Sequence, residues 1–230
     1  MFKLDELKIR RRSWVKMAGI PTARLGWTLK DCSEADQKDI AIVSKWLKAV
    51  KDKHVIRSAG QPYCGKGLML FGTPGQGKTT IALSTIQEIM TTMSLDSLDV
   101  KEGGTLIRPC YFITYHGLLE LKGTQMGGSI TDDQEVILEG ILGNCPNDAY
   151  NIRVLVLDDV GKEHATDSEW QRNTLHHVLR TRFNNGLPTI ITTNIRREDW
   201  AGLYGDSTAS FVHEIFGYLP VESSRGDLRK

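Results

Sequence analysis

Leu68-Met69-Leu70-Phe71-Gly72-Thr73-Pro74-Gly75-Gln76-Gly77-Lys78-Thr79-Thr80 places a short apolar run, a glycine-rich turn and the start of a helical stretch end to end. Residues 72–79 match G-x-x-x-x-G-K-[ST] at every specified position, in the strand–turn–helix setting that gives the pattern its meaning. Glycines let backbone N–H groups close around phosphate oxygens, and the positive end of the following helix dipole points at the same place. The residues expected to hold a nucleotide are therefore Gly72, Thr73, Pro74, Gly75, Gln76, Gly77, Lys78, Thr79 and Thr80. Lys78 is also placed to act on the β and γ phosphates, and the Thr79 hydroxyl is the expected Mg²⁺ ligand. ATP and Mg²⁺ are the expected cofactors. A flexible turn that binds nothing is the competing reading, and the flanking strand and helix argue against it.

Working outward, the chain alternates short apolar runs with helical stretches. Residues 110–114, 154–157 and 189–193 read as further strands; 79–93, a stretch through Leu121, and 131–142 with its Thr131-x-x-Gln134 cap read as helices. Such alternation predicts an α/β domain with a parallel sheet covered by helices on both faces. The run Val154 to Leu157 leads directly into Asp158-Asp159, at the end of a strand where ligands of open α/β sheets bind. Asp158 suits the Walker B role of holding the Mg²⁺ shell. Asp159 suits orientation or deprotonation of the attacking water. Asn194 ends the strand 189–193 and is the candidate polar sensor of the γ-phosphate, its alternative being a turn-forming side chain. Lys78, Asp159 and Asn194 are thus the candidate catalytic residues, and Thr79 and Asp158 the metal-shell candidates.

Before this core, residues 2–17 carry Leu4, Leu7, Trp14 and Met17 at helical spacing, with a basic excess in residues 1–24 from Lys3, Lys8, Arg10, Arg11, Arg12, Lys16 and Arg24. Gly19-Ile20-Pro21 ends that helix; Ser33-x-x-Asp36 is the expected cap of a second, running to about Lys51. Bulk charge is balanced, with 29 Lys plus Arg against 28 Asp plus Glu, which excludes a general polyanion coat. Cys32, Cys64, Cys110 and Cys145 form no C-x-x-C pair, so neither a zinc site nor a disulfide framework is signalled. No apolar run approaches the ~20 residues that span a bilayer, and the expected location is cytoplasmic.

Three stretches go beyond generic phosphate-loop chemistry: LMLFGTPGQGKTTIA, VLVLDDVGKE and LRTRFNNGLPTIITTN. Together they resemble the bacterial and phage helicase loaders of the DnaC/DnaI type and the related IstB-type transposition ATPases, within the AAA+ superfamily. The AGIP segment followed by Arg24 also resembles the stretch that in this family lies near the adenine. The resemblance implies an AAA+ P-loop ATPase core with a five-stranded parallel sheet between helices, a short N-terminal helical extension and no C-terminal lid domain. It divides the chain into an N-terminal amphipathic helix at 1–18, a candidate helicase-binding arm, and an ATPase domain at 19–230. A helix that simply packs across the core is the equal alternative for residues 2–17. The implied function is an ATP-binding loader that engages a hexameric replicative DNA helicase, delivers it to single-stranded DNA, and forms homo-oligomers with nucleotide. The alternative is an IstB-like regulator of transposition. A small-molecule kinase is disfavoured by Asn194 and by the segment 170–194. The compact length fits a phage genome.

Residue by residue, the resemblance assigns Ser168 and Trp170 to DNA contact and Arg229 to the C-terminal sensor arginine that touches nucleotide. Relatives carry G-[DE]-R-x-x-[SD]-R where this chain has Gly205 to Phe211, and their second arginine reaches a neighbouring subunit's ATP. Here Ser207 and Phe211 stand at the two arginine positions. An arginine finger supplies about 10³- to 10⁵-fold in turnover, so slow or partner-dependent hydrolysis is expected, with Arg196 or Arg197 as possible substitutes.

Overall fold

The computed structural model describes residues 4–32, 37–161, 169–216 and 220–222. The elements that carry the site are β1 (Leu68–Phe71), α3 (Lys78–Thr92), β2 (Cys110–Thr114), β3 (Val154–Val160) and β4 (Thr189–Thr193). Before them come α1 (Leu4–Met17) and α2 (Gln37–Lys51); between and after them come α4 (Tyr115–Met126), α5 (Asp132–Leu142), α6 (Glu169–Asn184), α7 (Trp200–Tyr204), α8 (Asp206–Phe216) and β5 (Pro220–Glu222).

All strand pairs are parallel, in the order β2-β3-β4-β1-β5. Of the five strands implied by the resemblance, four are full strands. The fifth place holds only the three-residue edge segment β5 beside β1. Because β1, β3 and β4 are covered on both faces, they read as continuous apolar runs rather than alternating ones. Their side chains still alternate in destination. Leu68, Leu70, Val154, Val156 and Ile190 join a core with α1, α2 and α3, whereas Met69, Leu155, Leu157 and Ile191 join a second core with α4 to α8.

Local chemistry explains where several helices begin. At α5 the Thr131 hydroxyl accepts the Gln134 amide while Gln134 Oε1 accepts the Thr131 N–H at 3.0 Å, closing the expected capping box. The cap expected at Ser33 and Asp36 lies outside the described residues. Helix α2 buries Val43, Trp46, Leu47 and Val50, the face anticipated from spacing, with Ile40 partly buried against the same core.

Helix α1 is docked on this domain. Trp14 is 1% exposed and its indole N–H donates to the Leu106 carbonyl at 2.8 Å. Arg10 reaches Thr105 Oγ1 and Arg11 reaches the Met93 carbonyl at the end of α3. Past the helix the chain covers the free edge of β2, where the Phe112 amide donates to the Ala18 carbonyl at 2.7 Å. That approach requires glycine next: at Gly19, with φ +71°, an added Cβ would stand 2.4 Å from the Phe112 oxygen. Lys8, Ile9, Arg12 and Lys16 face outward, Ile9 being 68% exposed.

At the amino ends of the strands two arginines are fully buried. Arg182 of α6 donates to the carbonyls of Ile141, Ile152, Arg153 and Pro188 and to Thr189 Oγ1. Burial pushes its guanidinium down to about 9, with the neighbouring Cys110 acting in the opposite sense. Arg153 pairs with Asp148 and donates to the Leu98 carbonyl at 2.8 Å. These contacts tie α5, α6, β3 and β4 into one block.

Candidate nucleotide-binding site

The site lies at the opposite, carboxyl end of the sheet. Where β1 stops, the turn 72–77 takes left-handed backbone at Gly75 (φ +84°) and Gly77 (φ +78°), conformations that side chains with a Cβ resist. Gly77 is also the residue from which α3 starts, its carbonyl accepting the Ile81 amide at 2.9 Å. The first amides of α3 therefore lie where the loop closes. Lys78 is only 8% exposed, and its ammonium donates to the Gly72 and Thr73 carbonyls at 2.9 and 2.8 Å. That arrangement bends the lysine back over its own loop. Thr80 is half-buried one residue further on.

Asp158 and Thr79 meet across the gap between β3 and α3. The Thr79 hydroxyl donates to Asp158 Oδ1 at 2.8 Å, which brings the two predicted metal-shell residues together from positions 79 apart in sequence. A threonine hydroxyl oxygen and an adjacent carboxylate form a hard oxygen set of the kind Mg²⁺ takes with nucleotide phosphates. The residues present thus fit the cofactor pair. No group of three or more His, Cys, Asp or Glu side chains among the described residues could hold a metal without such help.

β3 does not end as a simple strand. It continues to Val160, and its register with β4 shifts between Leu157 and Val160, with Asp159 in left-handed backbone at φ +59°. This is a β-bulge, which turns consecutive side chains to directions that a regular strand cannot offer. Left-handed backbone at a non-glycine costs of order 1–3 kcal/mol and persists only where neighbours hold it. The holder is Thr192 of β4, absent from the predicted site. Its hydroxyl donates to Asp158 Oδ1 at 2.5 Å and accepts the Asp159 amide at 3.0 Å. In sequence Thr192 is only another β-branched strand residue; no local pattern marks the bulge it serves. Asn194 follows β4 directly and is exposed at the same end of the sheet.

Gln87 is a second residue that sequence reasoning missed. From the buried side of α3 it donates to the Arg24 carbonyl at 3.0 Å and accepts the Gly26 amide at 2.7 Å. The segment expected beside the base is thereby latched to the phosphate-loop helix, and the Arg24 guanidinium stacks 4.5 Å over Trp27. Trp170, at the start of α6, is 37% exposed. Ser168 and Arg229 lie outside the described residues.

Phe211, where the resemblance implies an arginine in relatives, is a core residue. It is 5% exposed and meets Phe183 edge-on at 5.7 Å, while the Arg180 guanidinium covers its other side at 4.3 Å. Ser207 is exposed, and the adjacent Thr208 is buried against His176. Arg196 and Arg197 are exposed just after Asn194.

No helix among the described residues is long and apolar enough to cross a membrane. No curated protein sequence matches the chain. Among solved structures, the DnaC helicase loader is similar at 25% identity and a TM-score of 0.59, over 89% of this chain and 100% of that one. DnaI is similar at 18% identity and a TM-score of 0.60, over 91% and 94%. The replication initiator DnaA, bound to AMPPCP and single-stranded DNA, shares the fold at 14% identity and a TM-score of 0.56, over 88% of this chain and 51% of that one. A sequence profile of the AAA family matches residues 68–199, from β1 past Asn194. With the phosphate loop, the Thr79–Asp158 contact and the parallel sheet in place, the chain belongs to the AAA family, the ATPases associated with various cellular activities, and is an AAA+ ATPase with the fold of the DnaC/DnaI type.

Proposed function

We propose that this protein is an ATP- and Mg²⁺-binding helicase loader, which engages a hexameric replicative DNA helicase and delivers it to single-stranded DNA. The observation that carries this reading is the likeness to the solved chain of the DnaC helicase loader, all of which is covered. Lys78 and the loop amides hold the nucleotide phosphates, Thr79 and Asp158 the metal shell, and Asp159 and Asn194 face the γ-phosphate and attacking water. Arg229 completes the nucleotide contacts, and the protein assembles with nucleotide into homo-oligomers.

Hydrolysis is slow or needs a partner's arginine. Burial of Phe211 supports this, because a side chain packed against Phe183 has no reach toward a neighbouring subunit. The helicase contact is assigned to the outward face of α1, with Lys8, Ile9, Arg12 and Lys16; the inward face is already used for packing. Ser168 and Trp170 contact DNA, Trp170 by stacking on a base.

The docking of α1 decides how to test this. Deleting the helix would remove Trp14 from the core, so charge reversal of Lys8, Arg12 and Lys16 is the cleaner variant. Purified protein with ATP and Mg²⁺ is expected to co-elute with the replicative helicase hexamer of its host, and the charge-reversed protein is expected not to. Failure of the wild-type protein to co-elute, with nucleotide binding intact, would remove the loader reading. Cooperative assembly on duplex DNA in its place would favour the transposition-type ATPase. In the same preparations, Trp170→Ala should lower single-stranded DNA affinity about tenfold, and unchanged affinity would take Trp170 out of the DNA site.

A further inference from the structure

Asp158 Oδ1 accepts two hydroxyl hydrogen bonds, one from Thr79 on α3 and one from Thr192 on β4. The carboxylate torsion of an aspartate is broad and weakly fixed by itself. Two donors arriving on one oxygen from different elements hold its plane. Thr192 carries the larger share of this work, because the same hydroxyl also accepts the Asp159 amide and so secures the left-handed backbone of the bulge. It is fully buried, and Asn194 follows two residues later, just past the end of β4.

The next residue gives a contrast. Thr193 Oγ1 donates to the Val160 carbonyl at 2.7 Å and accepts the Ile195 amide at 3.0 Å. It clamps the far side of the same bulge through backbone groups.

We propose that Thr192 is a positioning residue of the metal-nucleotide site: by holding Asp158 toward Thr79 it sets how strongly Mg²⁺ increases nucleotide affinity. The proposal rests on the nucleotide-site reading and does not depend on the helicase partner. Residues that orient a metal's ligands typically change affinity 10- to 100-fold when removed, which is the size of effect expected here.

The test is titration of a fluorescent ATP analogue into wild-type protein, Thr192→Val, Thr192→Ser and Thr193→Val, each with Mg²⁺ and with EDTA. Thr192→Val should lose about tenfold or more of the Mg²⁺-dependent gain in affinity while its affinity in EDTA stays at the wild-type level, since Lys78 and the loop amides are untouched. Thr192→Ser should restore the gain. Thr193→Val should keep it, even where its melting temperature falls. Should Thr192→Val not fold, Thr192→Cys keeps the size with a weak donor and should show a smaller loss of the same kind. A full Mg²⁺ gain in Thr192→Val or Thr192→Cys would overturn the proposal, as would an equal loss in Thr193→Val. A wild-type protein whose affinity is indifferent to Mg²⁺ would overturn the metal-site reading itself, together with this proposal.

Discussion

At the amino ends of β3 and β4, Arg153 and Arg182 are buried among carbonyl oxygens and, for Arg153, the Asp148 carboxylate. At the carboxyl ends, Lys78 and Asp158 are buried against a loop and two hydroxyls. Both ends of the sheet take charge out of water, which is costly unless every charged group finds partners. The partners differ in kind. Arg182 makes four of its hydrogen bonds to main-chain oxygens of α5, the segment before β3 and the residue before β4, and a fifth to the Thr189 hydroxyl, so its charge is used to lock elements together. Lys78 bonds two carbonyls of its own loop, so its charge is spent within the turn rather than between elements. One end of the sheet thus ties elements to one another, and the other ties a loop to itself.

Substitution at the amino end should give the largest effect on stability. Arg182→Ala strands several buried carbonyls and is expected to destabilise the fold by about 3–5 kcal/mol. For a chain of this size that corresponds to a fall in melting temperature of about 10 °C, read by calorimetry. An unchanged melting temperature would remove the distinction between the two ends.

Lys78→Ala sharpens the contrast from the other side. Nucleotide affinity should fall about 100-fold, or ~2.7 kcal/mol, while the nucleotide-free protein melts within ~1 kcal/mol of wild type. A large loss of stability instead would mean that the lysine is a structural clamp like Arg182.

The smallest effect is expected where the amino end reaches solvent. Burial pushes the Asp148 carboxyl up, but hydrogen bonds from Arg153, Asn151 and Arg57 outweigh it and hold the group well below its ordinary range. A depressed carboxyl contributes stability above its unfolded pKa, near pH 4, and that contribution is lost as pH falls from there toward the folded value. Since Asp148 is half-exposed, Asp148→Asn should cost only about 1–2 kcal/mol at pH 7. Between about pH 5 and pH 2 the gap between variant and wild type should close in acid-unfolding curves. A gap that stayed constant across that range would show that the carboxylate charge is not what holds Arg153.

Much of this architecture was legible because it is local. The phosphate loop, the 110–114 strand and the Thr131–Gln134 cap each depend on residues within a few positions of one another, so pattern and propensity suffice. The strand through Asp158 was legible only as far as Leu157, since its continuation to Val160 is a bulge held by β4. Similarly, spacing identified α1 as amphipathic but left open whether its apolar face meets a partner or the domain; the hydrogen bond from Trp14 to Leu106, 92 residues away, shows Trp14 packed on the domain, while Met17 of the same predicted face is exposed. Phe211 reads in sequence as a missing arginine and in the fold as part of the second core.

The sequence alone determined the phosphate loop, the strands β1 to β4 with the helices α1 to α5 around them, and the carboxylate pair, because each follows from short-range sterics, helix periodicity or fixed motif spacing; α7, α8 and the edge segment β5 were not read from it. Tertiary structure decided which threonine orients the carboxylate, which arginines are locked inside, and that α1 lies on the core. Those outcomes depend on hydrogen bonds and burial between segments far apart in the chain, whose partners exist only once the strands have paired.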